Sequence, residues 1–196
     1  MILTAITGSI GCGKTTLSNI LRGQGFLVYD VDKWVKYLYC KANFLSVIQN
    51  NFPDVFDNGY FNKRKLRTLV FNNPQKLKLL ESLIHPFLEK KLRKIIRTHK
   101  NQGLVFVDVA LLYEMNWNKY FDFVLLADVD KDIQKQRVMK RDNISAEDFE
   151  KIDTLQMSMA EKRKKVDFII NTGVEKRKLV KSILEVVESL SSYAEY

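Results

Sequence analysis

Five short apolar runs punctuate the chain, at residues 3–7, 26–29, 104–109, 123–127 and 168–170. None alternates strictly between apolar and polar positions, the pattern of strands buried on both faces where helices cover a parallel sheet. Between them the period lengthens. Residues 14–22 place Leu17, Ile20 and Leu21 on one helical face, closed by Gly23 or Gly25. Further helices are predicted over 132–140, from Ser145 with Asp148 as its capping-box partner, and over 174–190, where Leu179, Ile183, Val187 and Leu190 recur at helical spacing. Residues 33–102 read differently. Trp34 and Leu38, then Phe44, Val47 and Ile48, then Leu66, Leu69 and Val70 mark several helices, broken at Pro53, Asn58-Gly59 and Asn72-Asn73-Pro74. Some seventy residues without a core strand exceed an ordinary crossover and predict a helical lobe. The expected fold is therefore α/β, a doubly wound parallel sheet of five strands with an inserted lobe. Residues 1–32 and 104–196 would form its core and 33–103 the lobe.

Composition narrows the class. With 46% hydrophobic and 28% charged residues, the chain has the balance of a globular protein rather than a disordered one. Its 32 Lys and Arg against 23 Asp and Glu give +9, which calls for an anionic partner: nucleic acid, an acidic membrane surface or a phosphorylated small molecule. Cys12 and Cys40 form no CxxC pair and share no metal-ligand spacing with His85 or His99, which argues against a structural zinc site and for a reducing compartment. The first residues lack a basic signal-peptide region, and no apolar run has the length of a membrane span. The expectation is a cytoplasmic monomer.

The strongest chemical signal is Gly8-Ser-Ile-Gly-Cys-Gly13-Lys14-Thr15, a G-x-x-x-x-G-K-[ST] loop between a predicted strand and a predicted helix. In such a P-loop, glycines turn backbone N–H groups onto phosphate oxygens and the helix N-terminus adds its dipole. Lys14 would reach the β- and γ-phosphates and Thr15 would hold Mg²⁺. No Asn-Lys-x-Asp guanine reader follows, since Asn62-Lys63 continues as Arg64-Lys65 and Asn118-Lys119 as Tyr120-Phe121. That disfavours a switch GTPase and favours a small kinase. Asp30 and Asp32 close the second predicted strand, where a carboxylate can accept the proton of an attacking hydroxyl or cap the helix expected from Lys33. Asp108 ends the third strand and is open to two readings, a Mg²⁺-organising carboxylate acting through water or a cap on the next turn.

Beyond the P-loop, the chain resembles the dephospho-CoA kinase family. The likeness rests on Ile6 to Thr16, on Gly25-Phe-Leu-Val-Tyr-Asp-Val-Asp32, on Leu83-Ile-His85-Pro86 and on Asp108-Val-Ala-Leu-Leu-Tyr-Glu114. It continues through Gln134, Arg137, Arg141-Asp142 and Gln156 to Asn171-Thr-Gly173. Departures from the family pattern are Ser9 for a second glycine, Ala110 for a proline, Lys63 for an arginine, and Lys151-Ile152 where many members carry a lid arginine. The resemblance implies transfer of the γ-phosphate of ATP to the ribose 3′-hydroxyl of dephospho-CoA, the last step of coenzyme A synthesis. It implies ATP with Mg²⁺ in a cradle of Gly8, Ser9, Ile10, Gly11, Cys12, Gly13, Lys14, Thr15 and Thr16, flanked by Arg141, Asn171 and Gly173. Asp32 would be the base with Asp30 beside it, and Lys14 and Arg137 would act on the transferring phosphate. Lys63, Arg64 and His85 would face the acceptor, and residues 137–166 would form a helical lid. Another small P-loop nucleoside or nucleotide kinase is the nearer alternative, and a basic nucleic-acid-binding NTPase the more distant one. Cys12 reads as a small residue facing away from the nucleotide. The run Glu161-Lys-Arg-Lys-Lys165 reads as a solvated helix face without the aromatic interleaving of a base-stacking surface, although Arg163 could help close the lid.

Overall fold

A computed structural model describes residues 1–193. The chain forms two compact units, one made of Met1–Asp30 with the chain from His99 onward, the other of Val31–Thr98.

The first unit is built on a five-stranded parallel sheet. Its strands are β1 (Ile2–Thr7), β2 (Leu27–Asp30), β5 (Leu104–Asp108), β6 (Phe123–Asp128) and β7 (Phe168–Asn171), in the order β2-β5-β1-β6-β7. β1 is central and buried at every position, pairing with β5 on one side and β6 on the other. Helices α1 (Lys14–Gly23) and α9 (Lys176–Ser192) bring Leu17, Leu21, Leu179, Ile183 and Leu190 into one core with Ile6, Phe106, Leu125 and Ile170. Burying each such side chain contributes roughly 1.5–3 kcal/mol. The outer strands depart from expectation. The runs read as fully buried at 26–29 and 168–170 form the two sheet edges, leaving Leu27 38% and Ile169 49% exposed. Their apolar character reflects β propensity and one covered face, which periodicity cannot distinguish from two. Three further helices, α6 (Lys131–Asp142), α7 (Ala146–Asp153) and α8 (Met159–Arg163), lie in the chain between β6 and β7.

The second unit comprises α2 (Val31–Leu38), α3 (Ala42–Asn51), a hairpin of β3 (Phe56–Asp57) and β4 (Tyr60–Phe61), α4 (Lys63–Phe71) and α5 (Pro74–Thr98). Trp34, Leu38, Ile48, Phe52, Leu66, Leu88 and Leu92 are among its buried residues. The Asn58-Gly59 break is the hairpin turn, with both residues at positive φ (49° and 83°) as a type I′ turn requires. Helix α2 starts at Val31, directly after β2, rather than near Lys33. Asp32 therefore lies inside its first turn and is not the cap before it. Among the described residues no helix is long and apolar enough to cross a membrane.

Candidate active site

The P-loop leaves the carboxyl end of β1, the strand from which the chain departs to either side of the sheet. Ligands of open α/β sheets bind at such a switch point. Gly11 and Gly13 hold left-handed φ values of 79° and 87°, and close packing adds a second reason for glycine at both. A Cβ on Gly11 would strike Val138 of α6, and one on Gly13 would lie 2.8 Å from Thr172 Oγ1. Gly13 is also the N-cap of α1, so the first-turn N–H groups of that helix open onto the loop. Lys14 Nζ folds back over the loop and donates to the carbonyls of Gly8 (2.5 Å) and Ser9 (3.2 Å). Thr15 and Thr16 are exposed at the helix start. Cys12 is fully buried with Sγ 3.8 Å from Met159 Sδ, and burial pushes its thiol pKa up, leaving a neutral packed group turned away from the loop's open side.

Several elements hold this loop. The hydroxyl of Thr172, buried just past β7, donates to the Cys12 carbonyl (2.7 Å) and accepts from Arg137 Nη1 (3.2 Å). Arg137 Nη2 donates to the Thr172 carbonyl (2.9 Å). Arg137 is thus anchored beside the loop, whereas Arg141, one turn further along α6, is bidentate to Asp142 (2.8 and 2.7 Å). Asn171 Oδ1 accepts from Gly173 N–H (2.8 Å), which shapes the chain after β7. At the neighbouring strand ends Asp30 and Asp108 are register partners, and Asp108 accepts from Ser18 Oγ of α1 (2.9 Å). Through that bond Asp108 ties the sheet to α1. The candidate ligands, the Thr15 hydroxyl and the carboxylates of Asp30 and Asp108, offer only oxygens, which suits a hard cation such as Mg²⁺. No cluster of three or more His, Cys, Asp or Glu among the described residues could hold a metal alone.

The segment 161–165 corrects the sequence reading. Lys162 is fully buried, with Nζ 3.4 Å from Glu114 Oε1 and 3.3 Å from the Ala110 carbonyl. Burial lowers its pKa, Glu114 opposes that shift, and the charge of nearby Lys14 reinforces it. Arg163 is bidentate to Asp128 (2.8 and 2.9 Å). A lysine-rich pentapeptide looks solvated in sequence because the single inward position carries the same residue type as its neighbours. The reciprocal capping box is also here, Ser158 with Glu161, whereas at Ser145 the Asp148 carboxylate takes the hydroxyl instead of a backbone N–H. Thr172 was missed although both its neighbours were singled out; the in–out alternation continuing from Ile170 was the available signal.

In the helical unit, Lys63 and Arg64 are exposed in the first turn of α4. Asn62 caps that turn, accepting from Arg64 and Lys65 N–H (3.0 and 3.1 Å). His85 is half-buried in α5, directly before the intrahelical Pro86.

A parallel sheet whose central strand runs into this cradle, with a lysine over the loop and arginine anchored beside it, defines a kinase of the P-loop class. A profile of the dephospho-CoA kinase family matches residues 2–176. The dephospho-CoA kinase of Bartonella henselae is 39% identical over 192 residues, covering 97% of this chain and 98% of its own. Among solved structures, TT1252 of Thermus thermophilus matches with a TM-score of 0.87 at 29% identity over 96% of each chain. The dephospho-CoA kinase of Campylobacter jejuni matches at 0.70 and 25% identity over 97% of each. The chain belongs to the dephospho-CoA kinase family. It is a transferase that uses ATP, the kinase of the final step of coenzyme A synthesis.

Proposed function

We propose that this chain moves the γ-phosphoryl group of ATP onto the ribose 3′-hydroxyl of dephospho-CoA with Asp32 as the base. The 3′-oxygen bonds to the γ-phosphorus, the bond to the β–γ bridging oxygen breaks, ADP leaves, and the hydroxyl proton passes to the Asp32 carboxylate. The observation that carries this reading is the cradle after β1, with the first-turn N–H groups of α1 opening onto it and Lys14 Nζ poised over the Gly8 and Ser9 carbonyls. Arg137, already anchored on Thr172, is the guanidinium nearest to hand for the transferring group. Arg141 would first have to leave Asp142. Thr15, and Asp108 through water, would hold Mg²⁺, which neutralises phosphate charge when bound. Asn171 and Gly173 would border the adenine. Val31–Thr98 would bind the acceptor, with Asp30 beside Asp32 and with Lys63, Arg64 and His85 as its contacts. The free, unpaired state of Cys12 and Cys40 supports a reducing compartment such as the cytoplasm.

The direct experiment measures ADP release with ATP and dephospho-CoA, and its retention in Asp32→Asn. That variant should lose kcat by a factor on the order of 10²–10⁴ while binding ATP normally. Near-normal turnover would transfer the base role elsewhere, with Asp30→Asn the next variant to compare.

A further inference from the structure

The crown of the P-loop is gripped by two side-chain amides. Ile10 N–H donates to Gln156 Oε1 (2.9 Å), and the Ile10 carbonyl accepts from Gln134 Nε2 (2.8 Å). The two glutamines come from different elements. Gln134 is buried in α6 and also donates to Asp153 Oδ1 at the end of α7 (3.1 Å). Gln156 lies in the link between α7 and α8, and the next N–H, that of Met157, donates to Glu114 Oε1 (2.6 Å), the partner of Lys162. The link is therefore fixed at one residue to the loop and at the next to the segment following β5.

A glycine-rich loop pays a large entropy to hold its peptide planes in one orientation. Gly11 cannot help through side-chain packing, because Val138 already occupies the space a Cβ would need. Ile10 is the residue before it, and its two polar groups are fixed in opposite senses, one by an acceptor and one by a donor. We infer that Gln134 and Gln156 are positioning residues for ATP, clasping the Ile10 backbone so that the N–H groups that follow are already oriented for phosphate. The inference rests on the reading of this loop as the ATP site. Neither glutamine need touch the nucleotide.

Polarity makes the clasp testable. Gln156→Met keeps the length of the side chain and removes the acceptor. The expected result is a rise of about tenfold in KM for ATP, and in Kd for a non-hydrolysable ATP analogue measured without acceptor, the loss of one ordering hydrogen bond. KM for dephospho-CoA and Tm should stay near their original values. Hydrogen exchange at the Ile10 amide, followed by NMR, should accelerate in Gln156→Met and return to its original protection in Gln156→Glu, which keeps an oxygen acceptor. Gln134→Glu should weaken the analogue, because it turns a donor into a carboxylate facing a carbonyl. Unchanged analogue affinity in Gln156→Met, an equal rise in both KM values, or unaltered Ile10 protection would overturn the clasp alone. Failure of the unaltered protein to bind the analogue would instead overturn the ATP reading on which the clasp depends.

Discussion

A fully buried lysine needs a partner for its charge, and Lys162 has Glu114, whose side chain is only 22% exposed. Breaking one member of such a pair leaves the other desolvated without compensation. Lys162→Met should cost about 3 kcal/mol in denaturant unfolding, whereas Lys162→Met combined with Glu114→Gln should recover most of that loss. The pH dependence has a definite sign. Burial sets the folded pKa of Lys162 below its ordinary 10.5. Below the lowered folded value the group is charged in both states, and its burial penalty is fully present. As pH rises through the lowered folded value towards 10.5, the folded state releases this proton first and the unfolded state binds more protons. The contribution of Lys162 to stability therefore increases across that window. Subtracting the Tm profile of Lys162→Met from that of the unaltered protein isolates the increment; a flat difference would show that Lys162 titrates alike in both states.

At the scale of the element, α4 shows how a short helix can present basic residues. Its first turn holds Lys63 and Arg64 in solvent, and Asn62 supplies the acceptor for two of its otherwise unsatisfied N–H groups. The Asn62 amide nitrogen also donates to Asp57 (2.8 Å), which pairs with Lys65, so the same residue joins the hairpin to the helix. Asn62→Ala should lower stability by about 1–2 kcal/mol and raise KM for dephospho-CoA while sparing KM for ATP; equal effects on both would remove α4 from acceptor binding. The elements were legible in sequence wherever one local pattern decides them. The apolar runs located all five strands of the parallel sheet, and the glycine motif located the cradle because strand, turn and helix follow one another without a gap. What stayed hidden depends on partners distant along the chain. That β2 and β7 are edges follows from strand order, which no run of Leu, Val and Ile encodes. Gln134, Gln156 and Thr172 act through backbone atoms of Ile10 and Cys12, more than a hundred residues away; the family resemblance includes all three positions, but their uncharged side chains give no sign in sequence of which atoms they grip.

For the whole molecule, the excess of basic residues has a location that the total conceals. Val31–Thr98 contains 14 of the 32 Lys and Arg residues and 5 of the 23 Asp and Glu residues, so this unit carries +9. The remainder of the chain balances at 18 of each sign. Within residues 162–165, Lys162 and Arg163 face Glu114 and Asp128, so their charges are locally compensated. A field of one sign over the helical unit raises the encounter rate of an anion that binds there, and dissolved salt screens that advantage. On the proposed reading, ATP would be held by short-range groups, the loop N–H donors and Lys14, in a unit without net charge. The two substrates should thus respond differently to salt. Raising ionic strength from about 0.01 M to about 0.15 M shortens the screening length from about 30 Å to about 8 Å. Over that range kcat/KM for dephospho-CoA should fall several-fold further than kcat/KM for ATP. Replacing exposed Lys90, Lys94 and Arg97 of α5 with glutamine should flatten the dephospho-CoA slope and leave the ATP slope in place. Parallel slopes for the two substrates, unaffected by the triple variant, would mean that the charge of the helical unit does not steer the acceptor.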